Sequence, residues 1–364
     1  MSLRNDLVFA RILPERRQLR SSASALALGL VLRTALLASA ALAVNGLPAL
    51  AQDATWHATP FSTILNAGVN WDTGTLPTGT ASFGTSTRTS LLLFNNMTIG
   101  GWTFNANAAN YTFNTNGRVL EFTGAGIVVN GGSAAISNSG EIAFRSASSA
   151  GSAAITNSFF TEFYDTSSAG NATITNTAKL LFYDNSTAGS ATIINNADLI
   201  NFHNTSTAGN ASITNNASLS FYDNSKAGSA TITNKNSLIF YDNSSADSAT
   251  IVNESSLIFR GFSTAGTATI TTATGATTQF NAAGNSAGAR FITHAGGTVD
   301  ISDPVGLAAM TASSIEGAGN YVIGAKQVTV GSNNLSTEVS GVISGAGGAL
   351  VKTGTGTLTL SGAN

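Results

Sequence analysis

From Ala134 to Thr272 the apolar and polar positions recur with a period of nineteen residues. Ile136, Ile155, Ile174, Ile193, Ile213, Ile232, Ile251 and Ile270 lie 19, 19, 19, 20, 19, 19 and 19 residues apart. Eight residues after most of them comes Phe144, Phe163, Phe182, Phe221, Phe240 or Phe259; Phe202 comes one later because its unit holds one extra residue. Two residues after each isoleucine stands Asn138, Asn157, Asn176, Asn195, Asn215, Asn234 or Asn253, with Thr272 closing the series. Within a unit, segments such as Ala172-Thr173-Ile174-Thr175 and Leu180-Leu181-Phe182-Tyr183 alternate inward and outward residues and are too short for helices, so they read as strands. Asp184-Asn185-Ser186 and Ala188-Gly189-Ser190 carry the residues that tolerate a left-handed backbone or bond their own main chain, and read as turns. The spacing of leucine-rich repeats is absent. The pattern predicts an all-β chain, a parallel β-helix with one unit per coil and coils about 4.8 Å apart.

Stacking assigns the columns. Isoleucine and phenylalanine point inward onto copies of themselves, each worth roughly 1.5–3 kcal/mol when buried, and Ala172, Ala191, Ala211 and Ala230 leave room beside them. The asparagines are expected at a bend, amide bonded to amide along the stack. The Asp-Asn-Ser turns are expected at the surface, so that a charge is tolerated at Ser225 but not at Ile213. Residues 52–133 are less regular, and Trp56, Trp71, Trp102, Phe83, Phe104, Tyr111, Phe113 and Phe122 punctuate their strands. They read as the first coils closed by a cap that shields the open edge, in preference to a carbohydrate site built on exposed tryptophans. In residues 273–338 the period loosens, while Phe280, Phe291, Val299-Asp300-Ile301, Tyr321-Val322-Ile323 and Val328-Thr329-Val330 still read as strands between glycines.

At the N-terminus Arg4, Arg11, Arg16, Arg17 and Arg20 precede an apolar body from Ala25 to Val44. Gly46 and Pro48 then break the chain before Ala49-Leu50-Ala51. This is the layout of a signal peptide, residues 1–51, cleaved after Ala51. The alternative, a retained membrane anchor, is disfavoured by Arg33 in mid-segment. Residues 52–364 hold ten Lys/Arg against sixteen Asp/Glu, net −6, with no basic stripe for a nucleic-acid backbone. The chain has no cysteine, so stacking alone must stabilise it. Only 9% of the residues are charged, which in a shuffled sequence would argue disorder, but 43% hydrophobic content and the strict period argue against it. At about 20 residues per coil the exported chain makes roughly 15 coils and a rod of about 75 Å.

Residues 339–364 run Val339-Ser340-Gly341-Val342-Ile343-Ser344-Gly345-Ala346-Gly347-Gly348-Ala349-Leu350-Val351-Lys352-Thr353-Gly354 and end Thr357-Leu358-Thr359-Leu360-Ser361-Gly362-Ala363-Asn364. This string resembles the passenger-associated β-strand repeat of bacterial autotransporters. The long signal, the Trp-rich opening and the Ala169-Gly170-Asn171-Ala172-Thr173-Ile174 units extend the resemblance over nearly the whole chain. The resemblance implies a right-handed β-helix, export to the periplasm, passage through an outer-membrane translocator barrel, and display at the outer membrane and cell surface or release outside the cell. A host or neighbouring-cell surface is then the implied partner. No amphipathic strands of a barrel are present, so the chain is expected to be a fragment or an incomplete gene product that ends in a truncated associated repeat, residues 339–364.

Candidate chemistry is sparse. His57, His203 and His294 share no repeat position, and His203 takes the place of Tyr183 and Tyr222 at a surface turn. There is no HExxH, GxSxG or GDSGS string, and the glycines before Leu350-Val351-Lys352 lack the GK[ST] of a phosphate loop. Asp165, Asp184, Asp223 and Asp242 form a column, with Asn204 among them, that calcium could relieve, but the nonapeptide calcium pattern is missing and Asx-turns are the expected role. Thr173/Thr175, Thr231/Thr233 and Thr269/Thr271 resemble an ice-binding array broken by Ile194 and Val252, and β-propensity accounts for them. Asp300, Asp303 and Glu316 are the only local acidic grouping outside the repeats. The expectation is a structural stalk or adhesin-like passenger: not an enzyme, with no catalytic, cofactor-binding or metal residues, no cofactor and no small-molecule substrate. A β-helical polysaccharide-degrading enzyme and a calcium- or ice-binding solenoid are the alternatives.

Overall fold

The computed structural model describes residues 51–364; apart from Ala51, the expected signal peptide lies outside them. Almost every strand pairing is parallel, and strands alternate between two long sheets, one of 15 strands and one of 14. A coil such as the one beginning at Thr173 places Thr173–Asn176 in the second sheet and Lys179–Phe182 in the first. It then crosses a third side, where Ser149, Ser168, Thr187, Thr207, Lys226, Ser245 and Thr264 form a line of single parallel bridges. This is the expected parallel β-helix. Partners across neighbouring coils are like residues: Ile174 lies beside Ile155 and Ile193, and Phe182 beside Phe163 and Phe202.

The inward columns hold what their chemistry demands. The repeat isoleucines are buried from Ile136 to Ile270, as are the phenylalanines and the alanines at 172, 191, 211 and 230. From Phe122 to Phe280 nine phenyl rings stack, neighbouring centroids 4.6–5.0 Å apart and planes within 13°. That spacing is the strand separation itself, so one geometry serves both the backbone ladder and the rings.

The asparagines form the expected ladder. Each Nδ2 donates to Oδ1 one coil further on, at 2.9 Å from Asn138 to Asn157 and 2.7 Å from Asn157 to Asn176 and from Asn176 to Asn195. The series continues at 2.9 Å through Asn215, Asn234 and Asn253. The second amide hydrogen goes to a backbone carbonyl of the next coil, as from Asn195 to Ser218 at 2.9 Å and from Asn215 to Ser237 at 2.8 Å. The chain thereby turns a corner with a fully buried amide and no unpaired hydrogen. The extra residue of the fourth unit sits at this same corner. Asp198 adopts φ 55° there, and the following strand re-enters the sheet with Leu199 beside Lys179 and Phe202 beside Phe182.

Of three expectations about side-chain placement, one changes, that for Ser225. Trp56, Trp71 and Trp102 are at most 2% exposed and belong to an aromatic cluster with Phe83, Phe104, Tyr111 and Phe113, so no exposed tryptophan is available to a sugar. Ser225 is fully buried, in a column with Ser148, Ser167, Ser186, Ser206, Ser244 and Ser263, because the turn residue after Asn224 points back under the coil. A charge at Ser225 would therefore be as unwelcome as one at Ile213. The outward threonines lie on the second sheet, where Thr192 and Ile194 continue the columns of Thr173 and Thr175.

Beyond Phe280 the cross-section changes. The phenyl stack ends with Phe291 edge-on to Phe280. The third side widens into a sheet of Ala309–Ala312, Gln327–Val330 and Ala349–Lys352. The glycine-rich string before Lys352 thus leads into a strand.

Candidate functional surface

One corner of the solenoid carries an aromatic column and an acidic column side by side. Immediately after each buried phenylalanine the chain leaves the first sheet, and the next side chain lies along the outside. In five successive coils that residue is Tyr164, Tyr183, His203, Tyr222 and Tyr241, half-buried rings stacked with centroids 4.7–5.1 Å apart. Arg145 occupies the same position one coil earlier. Its guanidinium lies 4.3 Å over the Tyr164 ring and pairs with Glu121, closing the stack with a cation–π contact. The neighbours cover the ring faces within the stack, and the rings remain half exposed.

This stack changes the role of His203. Instead of a bare turn residue it is a ring of the column, between Tyr183 and Tyr222. Burial pushes its pKa below the ordinary histidine value, partly opposed by Asp223. Burial likewise raises the pKa of Tyr164, reinforced by the hydrogen bond its hydroxyl donates to Glu162 at 2.9 Å. Glu162 is itself raised by burial, with the tyrosine bond acting the other way.

One residue further on runs the acidic column, and it is not built of Asx-turns. Asp165, Asp184, Asn204, Asp223 and Asp242 have φ between 53° and 57°. Each side chain accepts the N–H of the equivalent residue in the preceding coil, at 2.7 Å from Ser146 to Asp165 and from Asn204 to Asp223. The same bond is 3.1 Å from Asp165 to Asp184 and from Asp223 to Asp242. A left-handed residue turns its N–H out of the ladder, and the carboxylate of the next coil is the acceptor at hand. These bonds give the carboxylates a structural use without a metal. Among the described residues no three His, Cys, Asp or Glu side chains gather as metal ligands.

The column resumes at Asp303, which accepts the N–H of Ala282 at 2.7 Å, and that of Val305 at 2.9 Å. These two bonds hold its carboxyl below the usual carboxylate range. Here the corner is enlarged by the loop 301–308, between strands Thr298–Asp300 and Ala309–Ala312. Beneath the loop lies a groove of about 320 Å³ lined by Ser302, Asp303, Leu307 and Lys326 among others. Lys326 is only 6% exposed and donates to the carbonyl of Leu307 at 2.7 Å.

The three acidic residues singled out in the sequence are not brought together as one catalytic group. Asp300 accepts the N–H and hydroxyl of Ser302. Glu316 stands in the other long sheet and is ion-paired to Arg290. Of the other histidines, His57 and His294 lie outside the ring column. The sequence signal of the aromatic column is a tyrosine directly after the phenylalanine in four of the coils.

No family model, curated protein or solved structure matches the chain. Function must therefore be argued from this geometry.

Proposed function

We propose that the chain is the passenger of an autotransporter, a stalk or adhesin-like solenoid that acts by display at the cell surface or outside the cell and has no catalytic activity. The observation that carries this reading is uniformity. Eight coils from Ile136 to Ile270 differ in length by one residue and repeat the same buried column, whereas an active site needs coils unlike their neighbours. Asp300 is engaged by Ser302, and Glu316 stands in the other long sheet paired with Arg290, which supports display over a hydrolase. The C-terminal string and the signal-like N-terminus supply the resemblance to autotransporters, and an outer-membrane barrel is the partner this reading requires.

The test is surface proteolysis. Intact cells producing the protein are treated with a protease that cannot cross the outer membrane, and the chain is followed by antibody beside a periplasmic marker. Digestion of the chain with the marker intact is expected, and the mature protein should begin at Gln52. A chain protected until the cells are lysed would sink the display reading.

A further inference from the structure

The groove under the loop 301–308 belongs to no repeat and is not needed for stacking. We propose that it is a binding site for a neutral, hydroxyl-rich ligand, a saccharide, held between Asp303 and Lys326. The argument begins with the fixed charges. Lys326 as a residue is more than nine-tenths buried, and its ammonium donates to the Leu307 carbonyl at 2.7 Å, while an ammonium has three donors. The Asp303 carboxylate accepts one backbone N–H on each oxygen and keeps a lone pair on each.

An anion entering this groove meets Asp303 and a cation meets Lys326, so either gains one partner and is opposed by the other. A sugar hydroxyl suffers neither penalty, because it both donates to the carboxylate and accepts from the ammonium. The Ser302 hydroxyl, whose proton goes to Asp300, adds an acceptor, and Pro304, Leu307 and Ala325 supply apolar surface for the C–H face of a ring. The volume of about 320 Å³ is at the lower end of the range for small-molecule sites, roughly 300–1,000 Å³.

The loop is shaped for this opening. A side chain on Gly306 would meet the Ala282 carbonyl at 2.2 Å and come within 3.1 Å of Lys326 Nζ. Any larger residue there would lift the loop or fill the space beside the ammonium. Asp303 bonds Ala282 as Asp165 bonds Ser146, so the groove reuses the corner bond of the earlier coils, with Gly261 and Ala282 interrupting the carboxylate column between Asp242 and Asp303.

The test uses the full exported chain and saturation-transfer NMR with maltotetraose, cellotetraose and N-acetylchitotetraose as neutral probes, and tetragalacturonate and inorganic phosphate as charged ones. Transfer to at least one neutral tetrasaccharide is expected, weakened at least tenfold by Asp303→Asn and by Lys326→Met and unchanged by Lys235→Met. If Lys326→Met does not fold, Ser302→Ala takes its place, since Ser302 is partly exposed and its loss leaves the core intact. Binding confined to phosphate or tetragalacturonate, and strengthened by Asp303→Asn, would overturn the proposal in favour of an anion site. Silence of all five probes at millimolar concentration would overturn it outright. Surface proteolysis is blind to this groove, so either reading can fail without the other.

Discussion

Asn195 is bonded on every side: it accepts from Asn176 at 2.7 Å and donates to Asn215 and to the Ser218 carbonyl, both at 2.9 Å. Replacing it by alanine removes these bonds, leaves Asn176 Nδ2 with only the carbonyls of Ala178 at 2.7 Å and Leu199 at 3.2 Å, and leaves Asn215 Oδ1 with only a long bond from Ala217 at 3.4 Å, a buried loss of about 1–3 kcal/mol at each unmade bond. Asn195→Ala should therefore destabilise the protein by about 2–4 kcal/mol in urea denaturation, while Asn196→Ala, at an exposed neighbour, should stay within about 0.5 kcal/mol. His203 adds a dependence on acidity. Its folded pKa is depressed, so below the ordinary value of about 6.5 the unfolded chain binds more protons than the folded one. The contribution of the neutral ring is complete above that value and is lost as pH falls from it to the folded pKa. Melting curves of His203→Tyr should lack the part of the acid destabilisation that the parent shows in this window. Identical pH profiles would show that the ring stack does not discriminate against the imidazolium.

At the level of the strand, register decides everything. Because side chains alternate faces, removing one residue inside a strand turns every later position over, whereas removing one at a corner changes only the path between strands. Asp198 is such a corner residue and holds a left-handed φ of 55°. Its deletion restores a nineteen-residue unit and should shift the melting temperature by only a few degrees. Deletion of Ile200, in mid-strand and fully buried, should abolish cooperative unfolding in the calorimeter. The columns of isoleucine, phenylalanine and asparagine were legible in sequence for the same reason: in a parallel stack, like residues at a fixed interval must touch. The direction of the Asp165 and Asp184 bonds was not, since an Asx-turn and a bond to the preceding coil use the same residue, and only the backbone conformation separates them. Ser225 misled because a serine in a polar turn looks exposed, and nothing local reveals that the turn folds it under. The groove at Asp303 and Lys326 was half visible, its aspartate noted and its lysine not, because residues 23 apart in an irregular stretch have no period to connect them.

For the solenoid as a whole, 15 strands in the longest sheet at about 4.8 Å set a length of roughly 70 Å. Small-angle scattering of residues 52–364 should give a pair-distance distribution skewed toward long distances, and a symmetric, spherical one would contradict the stacking. The uniform coil length has a mechanical consequence for anything tethered at the far end. Under axial tension a coil is held to its neighbour by the same backbone rungs, ring contact and amide bond at every level, so no level is an obvious place for rupture to begin. When one does peel away, it releases nineteen residues, about 60 Å of slack less the height of a coil. Pulled between its ends, the regular stretch should lengthen in steps of that single size, dissipating load a coil at a time and leaving the remaining stack intact.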